Sequence, residues 1–129
     1  MFVFSILISL ALYYAVHADA NQSFHICEAG DPNALGTYFK MDELSDGVST
    51  FANANGLSFF RNKGFWYIGD LKTWPPQTHY RCVEVEGCNY NEPLPPTSRD
   101  GLWSAAQKFG KEPVPLITRE SCPSVKNDL

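Results

Sequence analysis

Four cysteines and three histidines carry the most versatile chemistry in this chain. His25-x-Cys27 and His79-x-x-Cys82, with Cys88, would supply the nitrogen and sulfur atoms that zinc takes. None of these spacings matches a finger or a knuckle, and thiols in an oxidising compartment pair with one another instead. The even count therefore predicts two disulfides and no metal. Four cysteines allow three pairings. The expected one joins Cys82 to Cys88, closing a tight loop around Val83-Glu84-Val85-Glu86-Gly87, and Cys27 to Cys122, tying the domain ends together. In the chain-entropy account each closure stabilises by about 2–5 kcal/mol, more for the longer loop.

With every cysteine paired, no thiol is left as a nucleophile. Ser104 follows Trp103 with no G-x-S-x-G elbow around it. His79 could act as a base with Asp70 or Glu84 to orient it, but no spacing selects that trio. Glu84 and Glu86 would share one strand face. Glycosidase acids flank a cleft from different elements, whereas acids along one exposed strand keep a sheet edge soluble. No catalytic residue is assigned, and no cofactor is expected.

Aromatic side chains are the remaining resource. Trp66, Phe59, Trp103 and Tyr38 are expected in the core, because small β domains fill their interiors with rings. Trp74 differs: it precedes Pro75-Pro76 in a loop, with His79 and Tyr80 soon after. Exposed aromatics beside polar groups anchor binding. Trp74, His79 and Tyr80 are therefore the candidate ligand contacts, within a loop from Leu71 to Tyr80.

The elements that must position these residues begin after a leader. Phe2 to Val16 is almost continuously apolar, shorter than a membrane span, and is followed by Ala18-Asp19-Ala20. Residues 1–20 read as a signal peptide cleaved after Ala20, with Ala18 as second choice. A single small β-rich domain over 21–122 and a loose tail over 123–129 follow. Asn21-Gln22-Ser23 is a glycosylation sequon at Asn21. The whole chain carries a net charge of −4 with scattered signs, which argues against nucleic acid. Stable membrane insertion after cleavage is not expected.

Residues 28–35 are turn-rich, and Gly36 to Met41 suits a short strand. Residues 42–50 are polar, with a turn at Ser45-Asp46-Gly47. Asn53-Ala54-Asn55-Gly56 is a strong turn signal. Leu57–Arg61, a reversal at Asn62-Lys63-Gly64, and Phe65–Gly69 then predict a hairpin. Tyr80 to Glu86 alternates, with Val83 and Val85 expected inward. Residues 89–97 form a Pro-rich connector. Ser98 to Phe109 fits either a helix stopped by Gly110 or a strand beginning near Trp103. Pro113–Ile117 reads as an extended edge segment. The sum predicts a mainly β fold, a small disulfide-stapled antiparallel sheet or curled barrel. It becomes α+β if a short helix forms over 98–110.

Gly36-x-Tyr38, Asn55-Gly56-x-x-Phe59, Phe65-Trp66-Tyr67-Ile68, Pro95-Pro96, Gly101-x-Trp103 and Pro113-x-Pro115 follow one another in that order. This series resembles small extracellular β modules with a Gly-x-Tyr, Asn-Gly, Tyr-x-Trp and late Trp pattern, and covers about residues 36–117. The resemblance implies a β fold and no particular activity. The expected function is a secreted, non-enzymatic interaction module that binds an extracellular protein or glycan. The alternatives are a small secreted hydrolase, and a secreted inhibitor or toxin-like effector presenting the 91–97 loop.

Overall fold

The computed structural model describes residues 22–97 and 102–123. The expected signal peptide over 1–20, the sequon at Asn21 and residues 124–129 of the expected tail lie outside the described residues, as do residues 98–101.

Eight strands form one antiparallel sheet: β1 Ser23–Glu28, β2 Gly36–Ser45, β3 Val48–Ala52, β4 Ser58–Asn62, β5 Phe65–Asp70, β6 Gln77–Cys82, β7 Ser104–Ala105 and β8 Leu116–Thr118. Their spatial order is β7-β6-β5-β4-β3-β2-β1-β8, a meander to which the last strand returns beside the first. The sheet curls into a half-barrel. The only helical turn among the described residues is a 3₁₀ turn over Pro32–Ala34, capped by Asp31 Oδ1, which accepts from Asn33 N.

The curl follows from one aromatic face. Phe24 pairs with Tyr38, Phe51 with Phe59, Phe59 with Ile68, and Ile68 with Tyr80. Cross-strand partners share a face, so these side chains line the concave side, and all are buried. Trp66, Trp103, Ile26 and Ile117 complete the core. Phe24 and Tyr38 meet Phe59, and Phe59 meets Trp103 edge-on. Burying each such ring stabilises by roughly 1.5–3 kcal/mol.

The predicted hairpin is present as β4 and β5. Asn62 pairs with Phe65, leaving Lys63-Gly64 as a two-residue loop in which both residues have positive φ. That geometry matches the twist of the flanking strands. Asp46-Gly47 makes the same kind of loop between β2 and β3. The polar stretch 42–50 is thus mostly strand, which its hydrophobicity does not signal.

Cys27 is bonded to Cys122 and Cys82 to Cys88. The short bridge corrects the expected run from Tyr80 to Glu86. The strand ends at Cys82, and its inward residues are Tyr80 and Cys82. Val83 and Val85 are exposed in the loop that Cys88 pulls back, and Glu84 and Glu86 share no strand face.

No α-helix forms over the described part of 98–110. Trp103 is drawn into the core, and Ser104 and Ala105 take up the free edge of β6 opposite Arg81 and Tyr80. Gly110 does not stop a helix. A Cβ there would lie 2.4 Å from the His79 carbonyl oxygen, so glycine permits close approach to β6.

Asp46 ties three turns together. Its Oδ2 accepts from Arg61 Nε at 2.8 Å and Gly64 N at 2.9 Å, while Arg61 also donates to the carbonyls of Asp46 and Glu92. The Gly64 N–H first, and the Arg61 guanidinium second, hold the Asp46 carboxyl below its ordinary value of 3.8. A carboxyl that ionises more readily when folded stabilises the fold above its unfolded value, and that contribution is lost as pH falls. Asp46→Asn is expected to lower the melting temperature at neutral pH. The gap to wild type should close below about pH 4; a gap independent of pH would contradict the assignment.

Candidate functional site

The convex face carries a furrow built from small side chains. Phe39 pairs with Ala52, Ala52 with Ser58, Ser58 with Gly69, and Gly69 with Thr78. This row crosses five strands on the side opposite the core, and its central members offer little bulk. Gly69 is small of necessity, since a Cβ there would meet the Gln77 carbonyl oxygen at 2.3 Å.

Two adjoining open grooves follow the part of the row from Phe39 to Ser58. One, of about 380 Å³, is lined by Met41, Ala52, Ala54, Ser58, Leu71 and Lys72. The other, of about 530 Å³, runs past Thr37 and Phe39 and shares Met41, Ala52 and Ala54. Phe39 is 62% exposed and Met41 43%, so the walls offer uncovered apolar surface.

Two loops frame the furrow. In the turn between β3 and β4, Asn53 is a hub. Its Oδ1 accepts from Asn55 N and Leu57 N, and its Nδ2 donates to the carbonyls of Asn33 and Leu35. This side chain fixes its own turn and anchors it to the β1–β2 connection. In the loop after β5, Asp70 Oδ1 accepts from Lys72 N at 2.8 Å, and the Thr73 hydroxyl donates to the Pro75 carbonyl. Pro75 and Pro76 restrict the chain further. The loops approach each other, because a Cβ at Gly56 would lie 3.2 Å from Lys72 Nζ.

At the tip of the second loop stands Trp74, 89% exposed and without a ring partner among the described residues. The indole is thus held out by an ordered loop whose base, Leu71 and Lys72, forms one wall of the furrow. Few contacts must be ordered before a ligand can use it.

The structure does not gather the other two expected contacts beside Trp74. Tyr80 is fully buried in the core. Its hydroxyl accepts from Asp31 N at 3.0 Å and donates to the Lys111 carbonyl at 2.6 Å. His79 belongs to the same cluster. Its Nδ1 lies 2.5 Å from Asp31 Oδ2, and its ring stacks on Phe109. The acid beside His79 is therefore Asp31. Asp70 serves its own loop, and Glu84 is exposed in the disulfide loop.

Burial pushes the Tyr38 hydroxyl far up, and the Asp31 carboxylate adds to the effect. Burial also raises Tyr80, against the lowering influence of the Asp31 N–H. Both hydroxyls stay protonated at neutral pH and can donate to carbonyls; Tyr38 does so to Ala34 at 2.7 Å. The cluster around Asp31 is structural in its visible contacts. Neither His79 nor Asp31 lines the two grooves.

Sequence reasoning singled out Trp74 but missed Phe39 and Met41. Their signal is the alternation around Tyr38, which sends Phe39 to the face opposite the core. Among the described residues, no group of three His, Cys, Asp or Glu is placed to hold a metal ion. No helix among them is long and apolar enough to cross a membrane.

Fold and surface together define a disulfide-bonded antiparallel β module with a furrowed convex face. Comparison with protein-family models, curated proteins and solved structures finds no match.

The three tryptophans should separate optically. Trp66 and Trp103 are buried while Trp74 is in water, so iodide is expected to quench only the Trp74 emission. Trp74→Phe should abolish the quenchable fraction. Quenching that survives in that variant would place another indole at the surface.

Proposed function

We propose that this protein is a secreted, non-enzymatic interaction module. It binds an extracellular protein or glycan through Trp74 and the furrow beside it. The observation that carries this reading is the 89% exposure of Trp74 on a loop ordered by its own hydrogen bonds. Leaving so large an apolar ring in water forgoes roughly 1.5–3 kcal/mol of burial, and a partner that covers it recovers that term. Phe39 and Met41 extend the apolar surface along the furrow, and Lys72 supplies a cation at its wall. A sugar ring stacked on the indole and an apolar protein segment laid in the furrow would both use this arrangement.

Secretion is part of the proposal. Two disulfides with no free cysteine among the described residues suit an oxidising compartment. The apolar run from Phe2 to Val16, followed by Ala18-Asp19-Ala20, supplies the route. In a secreting eukaryotic host, the protein is expected in the medium with Asn21 as its first residue, or Asp19 at the alternative site. An apolar segment retained on the exported protein would overturn the leader assignment.

For binding, wild type and Trp74→Ala would be compared on a glycan array and on a panel of purified extracellular matrix proteins. The variant is expected to keep the wild-type melting temperature and to lose at least about tenfold in affinity for whichever probe binds. Which of the two panels responds decides between glycan and protein. Equal binding by the variant would sink the assignment, and a large drop in melting temperature would make Trp74 a structural residue.

A further inference from the structure

Asn55 and Gly56 sit at the tip of the turn between β3 and β4 and are the only Asn-Gly pair in the chain. The Asn55 backbone N–H is engaged, donating to Asn53 Oδ1 at 3.0 Å. Its side-chain amide is exposed and has no partner among the described residues. The Gly56 N–H also makes no hydrogen bond among them. Gly56 carries no Cβ and has φ of +91°, so nothing on that residue shields its nitrogen. An unheld carboxamide is thus followed by an unheld backbone amide on a residue with no side chain of its own.

We propose that Asn55 is a self-modification site, converted through a cyclic imide to aspartate and isoaspartate with water as co-reactant. A solvent base removes the Gly56 N–H proton. The nitrogen attacks Asn55 Cγ, a C–N bond forms, the Cγ–Nδ2 bond breaks, and ammonia leaves. Water then opens either C–N bond of the imide. One opening leaves aspartate; the other routes the main chain through the side-chain carbon as isoaspartate. No oxidant or reductant is needed. Lys72 favours the sequence electrostatically, because its ammonium lies 3.2 Å from the point a Gly56 Cβ would occupy and so brings a positive charge near the residue whose nitrogen turns negative.

The rest of the chain supplies the contrasts. Asn53 is held by four hydrogen bonds and precedes Ala54. Asn89 donates to the Leu94 carbonyl and precedes Tyr90. Asp46-Gly47 has the same backbone freedom, but its carboxylate is clamped by Arg61 and Gly64. Only at Asn55 do a free carboxamide and a following glycine coincide.

The change alters the candidate contact surface, a consequence that rests on the reading proposed above. Asn55 lines one groove and Gly56 the other. Conversion adds a carboxylate at their rim, so the groove walls that hold Lys72 and Glu43 gain a second negative charge. The isoaspartyl form also lengthens a turn whose register depends on Asn53.

Intact protein would be incubated at mildly alkaline pH and its peptides mapped with a method that separates aspartyl from isoaspartyl forms. Asn55 is expected to convert at least about tenfold faster than Asn62 or Asn91, with both products present and a rate that rises with pH. Conversion at Asn55 no faster than at those positions would overturn the proposal. So would conversion confined to reduced, denatured chain, since the folded turn would then be protective. The map reads chemistry at residue 55 whether or not Trp74 binds a partner, so this proposal and the binding assignment fail separately.

Discussion

The hydroxyl of Tyr80 is the point at which the half-barrel is held closed. Tyr80 lies near one edge of the sheet, while Asp31 belongs to the connection between the two strands near the other edge. By accepting from Asp31 N and donating to the Lys111 carbonyl, the buried phenol joins β6 to both segments that cross the open side. His79 adds its bond to Asp31 and offers its carbonyl to Ala106 N. Gly30 N donates to the Pro113 carbonyl, sewing the two crossing segments to each other. An unpaired buried phenol would cost about 1–3 kcal/mol. The same bonds that satisfy it therefore fasten the crossing segments to the curl that the aromatic face produces.

The fold was legible in sequence where local signals agree with tertiary demands. The β4–β5 hairpin shows this: Asn62-Lys63-Gly64 suits a two-residue reversal, and aromatic residues flank it on both sides. The first half of β2, Gly36 to Met41, and the turn at Ser45-Asp46-Gly47 were legible too; the second half of β2 and β3 were not, because β2 beyond Tyr38 is mostly exposed and carries no hydrophobic period. Legibility failed differently after Cys82. There the alternation of apolar and charged residues continues to Glu86, yet the bridge to Cys88 and the positive φ of Gly87 turn the chain away. Around Trp103 the helical propensity of Ala105-Ala106-Gln107-Lys108 gave way to burial of one large ring and to an unfilled strand edge.

The candidate site divides the same way. Trp74 could be found from its neighbours, because a tryptophan before two prolines cannot enter a sheet interior. The furrow could not, since its row of small residues is assembled across five strands and depends on registers that no local window contains. Asp31 was hidden in a turn-rich segment, and its pairing with His79 spans 48 residues. Chemistry that seemed to belong to one loop is thus split between a convex surface and the closed side of the barrel.

The Cys27–Cys122 bridge also decides how the domain would carry tension. It joins the first and last strands' flanks across a sequence separation of 95, with Cα atoms 5.4 Å apart. A pull on the chain before Cys27 and after Cys122 would pass through the covalent link and bypass the rest of the sheet. Only the β1 pairs ahead of Cys27 would bear that force, so a module of this design could keep β2 to β7, and the binding face they carry, in shape while its ends are under strain.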